Sequence, residues 1–209
     1  INTPDLDNWK IVTTLRDTGL EPLKIWIGPL LKNTIVQTVN VELLNDDESL
    51  ALAQQIPSIQ KLLFSDNKVK EIIRRPFFAK VLTNLEAKNF EPESELELIE
   101  AWWKRGGFNE TGQAIYNRQD FLKRLSELKS QNLSNSVKRR EIHPIDALDS
   151  LVVDGIIHVN SKSSTVDFTH DIFYEWSLLY LLLEEEHDWL NKIESFGQPP
   201  YISRVVELL

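Results

Sequence analysis

Cysteine and methionine are both absent from this 209-residue chain, and histidine occurs only four times. Without cysteine there is no disulfide, no thiolate nucleophile and no cysteine-type zinc site, a composition that fits a reducing, cytoplasmic setting. His143, His158, His170 and His187 lie far apart and show none of the spacings of metal ligands. The apolar stretch Trp176–Leu183 is too short to span a bilayer, and three glutamates follow it. The opening residues do not read as a signal peptide. Because the chain starts at Ile1, it is expected to be a fragment of a longer protein. Loops of the type G-x-x-x-x-G-K-[ST] or G-x-G-x-x-G are missing, as are H-E-x-x-H and G-x-S-x-G. Positive charge is in deficit: 23 Lys and Arg against 32 Asp and Glu leave a net charge of −9, which argues against a surface wrapped in nucleic acid. The remaining composition, 42% hydrophobic and 26% charged, is that of a globular chain able to bury a core.

The most informative stretch is Thr165–Leu183, T-V-D-F-T-H-D-I-F-Y-E-W-S-L-L-Y-L-L-L. Val166 and Phe168 alternate with polar residues as in a half-buried strand. Ile172, Phe173, Trp176, Leu179, Tyr180 and Leu183 then recur at helical spacing. The change of period predicts a strand-to-helix corner with Thr169 as N-cap, Asp171 in the first turn where the helix dipole favours it, and His170 at the bend. Upstream, Leu148–Leu151 reads as a helix stopped at Asp154-Gly155. A hairpin follows that should pair Ile156–Asn160 with Thr165–Thr169. Helix, hairpin, helix is a winged-helix pattern.

Earlier in the chain, Trp9–Leu15 and Thr34–Leu44 read as strands. From Asn45 the pattern turns helical: a helix stopped near Pro57, short helices at Ser58–Phe64 and Asn67–Ile73, then Phe77–Leu85 with Pro76 suited to its first turn. Ser94–Lys104 ends at Gly106-Gly107, and Asn117–Lys129 is amphipathic through Phe121, Leu122, Leu125 and Leu128. A last helix is expected at Ile202–Leu209. The expected fold is mainly α: residues 1–44 as the remnant of an α/β core, 45–110 as a helical domain, 111–190 as a winged-helix domain and 191–209 as the start of a further helical region.

Four motifs in this order carry a resemblance: T-T-L-R-D at a strand end, V-E-L-L-N-D-D-E-S-L after a strand, R-R-P-F-F in the helical segment and D-F-T-H-D-I-F-Y-E-W in the winged helix. Together they resemble the back half of a STAND-class signalling NTPase, the group that contains NACHT and NB-ARC proteins. The resemblance implies three nucleotide-binding positions. Arg16 matches the sensor that reads the terminal phosphate, a task suited to a permanently charged planar fork. Pro76 matches the proline that packs on the adenine, although Arg75 stands where the motif has a small residue. His170 matches the histidine that touches the ADP β-phosphate. No catalytic residue and no metal ligand is assigned. Asp5 and Asp7 lie in a loop-like setting unlike that of the acids holding Mg²⁺.

The resemblance implies ATP/ADP with Mg²⁺ as the ligand of the intact protein, an upstream NTPase core with its phosphate-binding loop before Ile1, and homo-oligomerisation on activation in signal transduction or defence. The 209 residues alone are expected to bind nucleotide weakly and not to hydrolyse it. The alternative is a DNA-binding winged-helix regulator. Its groove-reading helix would lie within Pro144–Asp154, where the charged residues are Asp146, Asp149 and Asp154. That acidity argues against it. Lys138-Arg139-Arg140 is a basic cluster just ahead, and reads first as a solvated face.

Overall fold

Capping chemistry opens the helical part of the chain. In the computed structural model, the Asn45 side chain accepts the Glu48 N–H at 2.9 Å, and the Glu48 carboxylate accepts the Asn45 N–H at 2.9 Å. This reciprocal box starts α1 (Asp46–Gln55) with three acids in its first turn. Pro57 ends the run and opens a 3₁₀ turn that continues into α2 (Gln60–Leu63). After α3 (Val69–Ile73), Arg75 is extended, as a residue before proline prefers, and Pro76 occupies the first position of α4 (Pro76–Asn84). Ser94 caps α5 (Glu95–Lys104) by accepting the Glu97 N–H at 3.2 Å. The long α6 (Gln113–Gln131) follows.

The structure describes residues 23–26, 28, 37–65, 69–85, 90, 92–108, 110–132, 136–143, 145–197 and 202–209. The chain divides into two units, Ile1–Val41 and Glu42–Leu209. In the first, residues 23–26 form a helical turn. The strand expected at Trp9–Leu15 lies outside the described residues. The strand expected over Thr34–Leu44 does not form in its described part: residues 37–45 carry no regular structure, and Val39 and Val41 are more than four-fifths exposed. A strand needs a partner strand, and the sheet of the described residues holds only three strands from later in the chain; Leu44 N–H instead donates to the Arg74 carbonyl at 2.7 Å.

The second unit is mainly helical with a small antiparallel sheet. β1 (Val137–Lys138), β2 (Ile157–Asn160) and β3 (Thr165–Phe168) lie in the order β1-β3-β2, and α7 (Leu148–Val153) sits between β1 and β2 in sequence. The hairpin has the expected register, Ile157 opposite Phe168 and Asn160 opposite Thr165. β1 joins through Val137 opposite Val166. The alternation works as it should: Val137, Ile157, Val166 and Phe168 are buried while Lys138, His158 and Asn160 are exposed.

The sheet feeds α8 (Asp171–Glu184), followed by α9 (Trp189–Ser195) and α10 (Ile202–Leu208). Phe173 through Leu179 are buried without a break, the mark of a helix enclosed on all sides. Its two buried polar side chains there are Glu175 and Ser177, and Ser177 Oγ donates to the Phe173 carbonyl at 2.7 Å. α6 runs antiparallel alongside α8. Lys123 pairs with Glu184 at 2.6 Å near one end, and the Ser130 and Tyr174 hydroxyls meet at 2.8 Å near the other. One apolar core runs from Ala53 to Val205. Among the described residues no helix is long and apolar enough to cross a membrane.

Candidate functional site

The corner between β3 and α8 has the expected ingredients with one exchange of roles. His170, not Thr169, is the N-cap of α8: it is extended, and its Nδ1 accepts the Ile172 N–H at 3.2 Å. Thr169 instead ties the corner to the preceding turn, its Oγ1 donating to the Gly155 carbonyl at 2.5 Å and the Ile156 carbonyl at 3.1 Å. Its own N–H donates to the Ile156 carbonyl at 3.0 Å. With the Thr169 hydroxyl committed there, the ring nitrogen of the next residue takes the cap. A backbone N–H is always a donor, so the neutral imidazole of His170 carries its proton on Nε2. Asp171 follows in the first turn as expected.

A second helix start meets this corner. Phe77, the second residue of α4, lies 4.2 Å centroid to centroid from the His170 ring at an interplanar angle of 31°. Its neighbour Pro76, like His170, is exposed. Phe77 thus links the start of α4, where Pro76 lies, to the His170 corner. Behind this contact, Phe77 also meets Phe173 at 5.2 Å and Trp176 at 6.2 Å. Trp102 stacks on Phe173 at 5.4 Å and 17°. Edge-to-face and offset contacts of this kind contribute about 0.5–1.5 kcal/mol each beyond area burial. The aromatic set fixes α4, α5 and α8 together beneath the exposed imidazole. Phe77 was missed in the sequence, although its place beside Pro76 in R-R-P-F-F was the available signal.

Arg74 and Arg75 precede this helix and differ in role. Arg74 is a structural hub: its Nη2 lies 2.6 Å from Asp46, and its Nε donates to the Leu63 carbonyl at 3.1 Å. The hydrogen bond and charge of Arg74 hold the Asp46 carboxyl below its ordinary range. Arg75 is exposed at the N-cap of α4. Arg16 lies outside the described residues, so it is not placed relative to Pro76 and His170.

A buried cation stands apart from this corner. Arg118, on the core face of α6, is 1% exposed and bridges Glu110 at 2.7 Å and Asp154 at 2.5 Å. Gly107 makes room for it: with φ +104, a Cβ there would lie 3.1 Å from Arg118 Nη2 and 2.4 Å from Ile156 Cδ1. The cluster joins the loop before α6 to the end of α7. Its signal was in the sequence, because Arg118 shares the spacing of Phe121, Leu122 and Leu125 and so must lie on the buried face. No group of acids and histidines able to hold a metal ion occurs among the described residues. Compared with models of protein families, with curated proteins and with solved structures, the chain matches none of them significantly.

Proposed function

We propose that this chain is the regulatory part of an ATP/ADP-dependent signalling switch of the STAND type, in which a helical segment and a winged helix close over a bound nucleotide and so control assembly. The observation that supports the reading is the ring contact between Phe77 and His170, which brings the start of α4, where Pro76 lies, to the His170 corner. In this reading Pro76 meets the adenine and His170 Nε2–H donates to the β-phosphate of ADP. The starts of α4 and α8 add a field that favours anions. The order helix, β1, helix, β2, β3, helix, with β3 between β1 and β2, supports reading the later part as a winged helix. Arg16 would act as the phosphate sensor, and Mg²⁺ would be held by acids of the NTPase core, outside these 209 residues.

In this reading binding and gating belong to the corner of His170 and hydrolysis to the core. A DNA-reading role is disfavoured by α7, six residues long with Asp149 exposed on it. The deciding experiment compares His170→Ala with wild type in a form of the protein that carries the phosphate-binding loop. A charge-assisted hydrogen bond contributes about 1.5–3 kcal/mol, so release of a fluorescent ADP should accelerate by roughly 10- to 100-fold, with increased basal oligomerisation. An unchanged off-rate in a folded His170→Ala protein would leave His170 as a helix cap only.

A further inference from the structure

Four exposed cations gather at one edge of the sheet, around the tip of the hairpin. Lys138 on β1, Arg139 and Arg140 in the 3₁₀ turn after it, and Lys162 on the tip between β2 and β3 are all exposed. The Arg139 N–H donates to the Ser164 carbonyl at 2.9 Å, which ties the turn to the tip. Among the described residues none of the four pairs with a carboxylate, and Glu141, which closes the same turn, pairs with none of them. Elsewhere in this unit Lys123, Lys192 and Arg204 are held by acids.

The same tip carries hydroxyls. Ser161, Ser163 and Ser164 are all exposed, and every other exposed serine among the described residues lies in a helical turn. Asn160 shapes the tip, its Oδ1 accepting the N–H groups of Lys162 at 3.0 Å and Ser163 at 3.3 Å, and Ser164 completes it at φ +55. The Ser163 hydroxyl has a defined place: its Oγ lies 2.8 Å from Thr165 Oγ1. Thr165 in turn stands directly opposite Lys138 in the register of β1 and β3. Side chains directly opposite in an antiparallel pair share a face, with Cβ atoms about 4.5–5.5 Å apart. The Ser163 hydroxyl therefore lies on the face of Lys138, with Lys162 before it in sequence and Arg139 tied to the residue after it.

We infer that Ser163 is a phosphorylation site whose phosphate is held by cations of the same chain, Lys138, Arg139, Arg140 and Lys162. The donor is ATP brought by a serine kinase. Ser163 Oγ bonds to the γ-phosphorus as the bond from that phosphorus to the bridging oxygen breaks. ADP leaves with the electron pair, and the hydroxyl proton passes to a carboxylate of the kinase. The product carries about −1.5 to −2 charges at neutral pH and three acceptor oxygens, the kind of group that orders a loop when arginines stand beside it. It closes the hairpin tip onto the turn after β1, a strand that joins the sheet through two residue pairs only. It also cancels about half of the positive charge at this edge. A phosphate attached to the tip need not approach against the net charge of −9, as a polyanion must. The inference does not use the nucleotide reading.

The test has two arms, both on the 209-residue chain. In the first, folded protein is incubated with Mg²⁺, ATP and a panel of serine kinases, and the product is mapped by mass spectrometry. Phosphate should enter at Ser163 and fail to enter there in Ser163→Ala. Incorporation confined to Ser58, Ser195 or Ser203, or none at all, overturns the inference. In the second arm, phosphoserine is placed at position 163 by genetic-code expansion, and its second ionisation is followed by phosphorus NMR. Cations within a few ångströms favour the dianion, so the proton should leave about one pH unit below the ordinary value of about 6, and below its value in the same chain unfolded in urea. The difference should fade in about 1 M salt, where the screening length is about 3 Å. It should also vanish in Lys138→Gln/Arg139→Gln/Arg140→Gln with unchanged far-ultraviolet dichroism, because these side chains lie outside the core. A phosphate that titrates alike in the folded, unfolded and substituted chains overturns the clamp. Neither arm measures Pro76 or His170, so failure here leaves their reading standing.

Discussion

Replacing Arg118 by methionine tests how far the fold of Glu42–Leu209 depends on one buried charge. The substitution keeps the length of the side chain and removes the guanidinium that bridges Glu110 and Asp154. Breaking a buried pair costs about 3–5 kcal/mol when the remaining charge stays buried. Here the two carboxylates are 29% and 26% exposed and recover part of their hydration, so the low end applies, about 3 kcal/mol. For a unit of this size that corresponds to a fall in Tm of roughly 6–12 °C. Arg118→Lys keeps the charge without the planar fork and should lose about half as much. Urea unfolding followed by dichroism measures both, with Arg124→Met as control. Arg124 pairs with Glu127 at the surface, where such a contact is worth about 0–1 kcal/mol. A loss below about 1 kcal/mol for Arg118→Met, at unchanged slope, would refute the idea that the bridge holds the loop to α7.

Three further outcomes follow from the same structure. Gly107→Ala forces a Cβ against Ile156 at φ +104 and should cost about 3 kcal/mol, while Gly112→Ala, at φ +58 in open space, should cost only about 1 kcal/mol; paired urea midpoints decide. Burial pushes the Glu127 carboxyl up, but hydrogen bonds from Lys192 and Arg124 outweigh it and hold the group below its ordinary 4.5. A depressed carboxylate stabilises above its unfolded pKa and loses that contribution as pH falls through the folded value, so stability should drop below about pH 4.5 and Glu127→Gln should flatten that acid limb. Burial, with the charge of Glu100 added, pushes the Tyr180 phenol up to about 12, so an alkaline absorbance titration of Tyr180→Phe should lack one late-ionising tyrosine.

Local signals were legible and long-range ones were not. The helix start near Asn45, the proline start at Pro76 and the hairpin register all follow from residues within a few positions of each other, where spacing and turn chemistry act directly. β1 went unread because two residues, Val137 and Lys138, carry no period; only the pairing with Val166 makes them a strand. Thr169 was the better cap by residue type, and lost the role to His170 because its hydroxyl was drawn to carbonyls at Gly155 and Ile156, which only the folded hairpin brings near. The segment 37–45 has the alternation of a strand and carries no regular structure, because no strand among the described residues pairs with it. The same limit applies to the candidate site. The sequence names Pro76 and His170 separately, and only the packing of Phe77 on the His170 ring links the start of α4 to the start of α8.

The ring set under His170 also decides how such a surface could open. Phe77, Phe78, Trp102, Phe173 and Trp176 interlock across α4, α5 and α8, so neither helix start can drift from the other by small steps. A gap of an ångström already forfeits much of the contact without admitting water. Separation therefore gains nothing until whole aromatic faces are wetted, at about 1.5–3 kcal/mol for each large side chain exposed. The contact has a threshold: weak pulls are absorbed without response, and a pull that exceeds the threshold releases the two helix starts together.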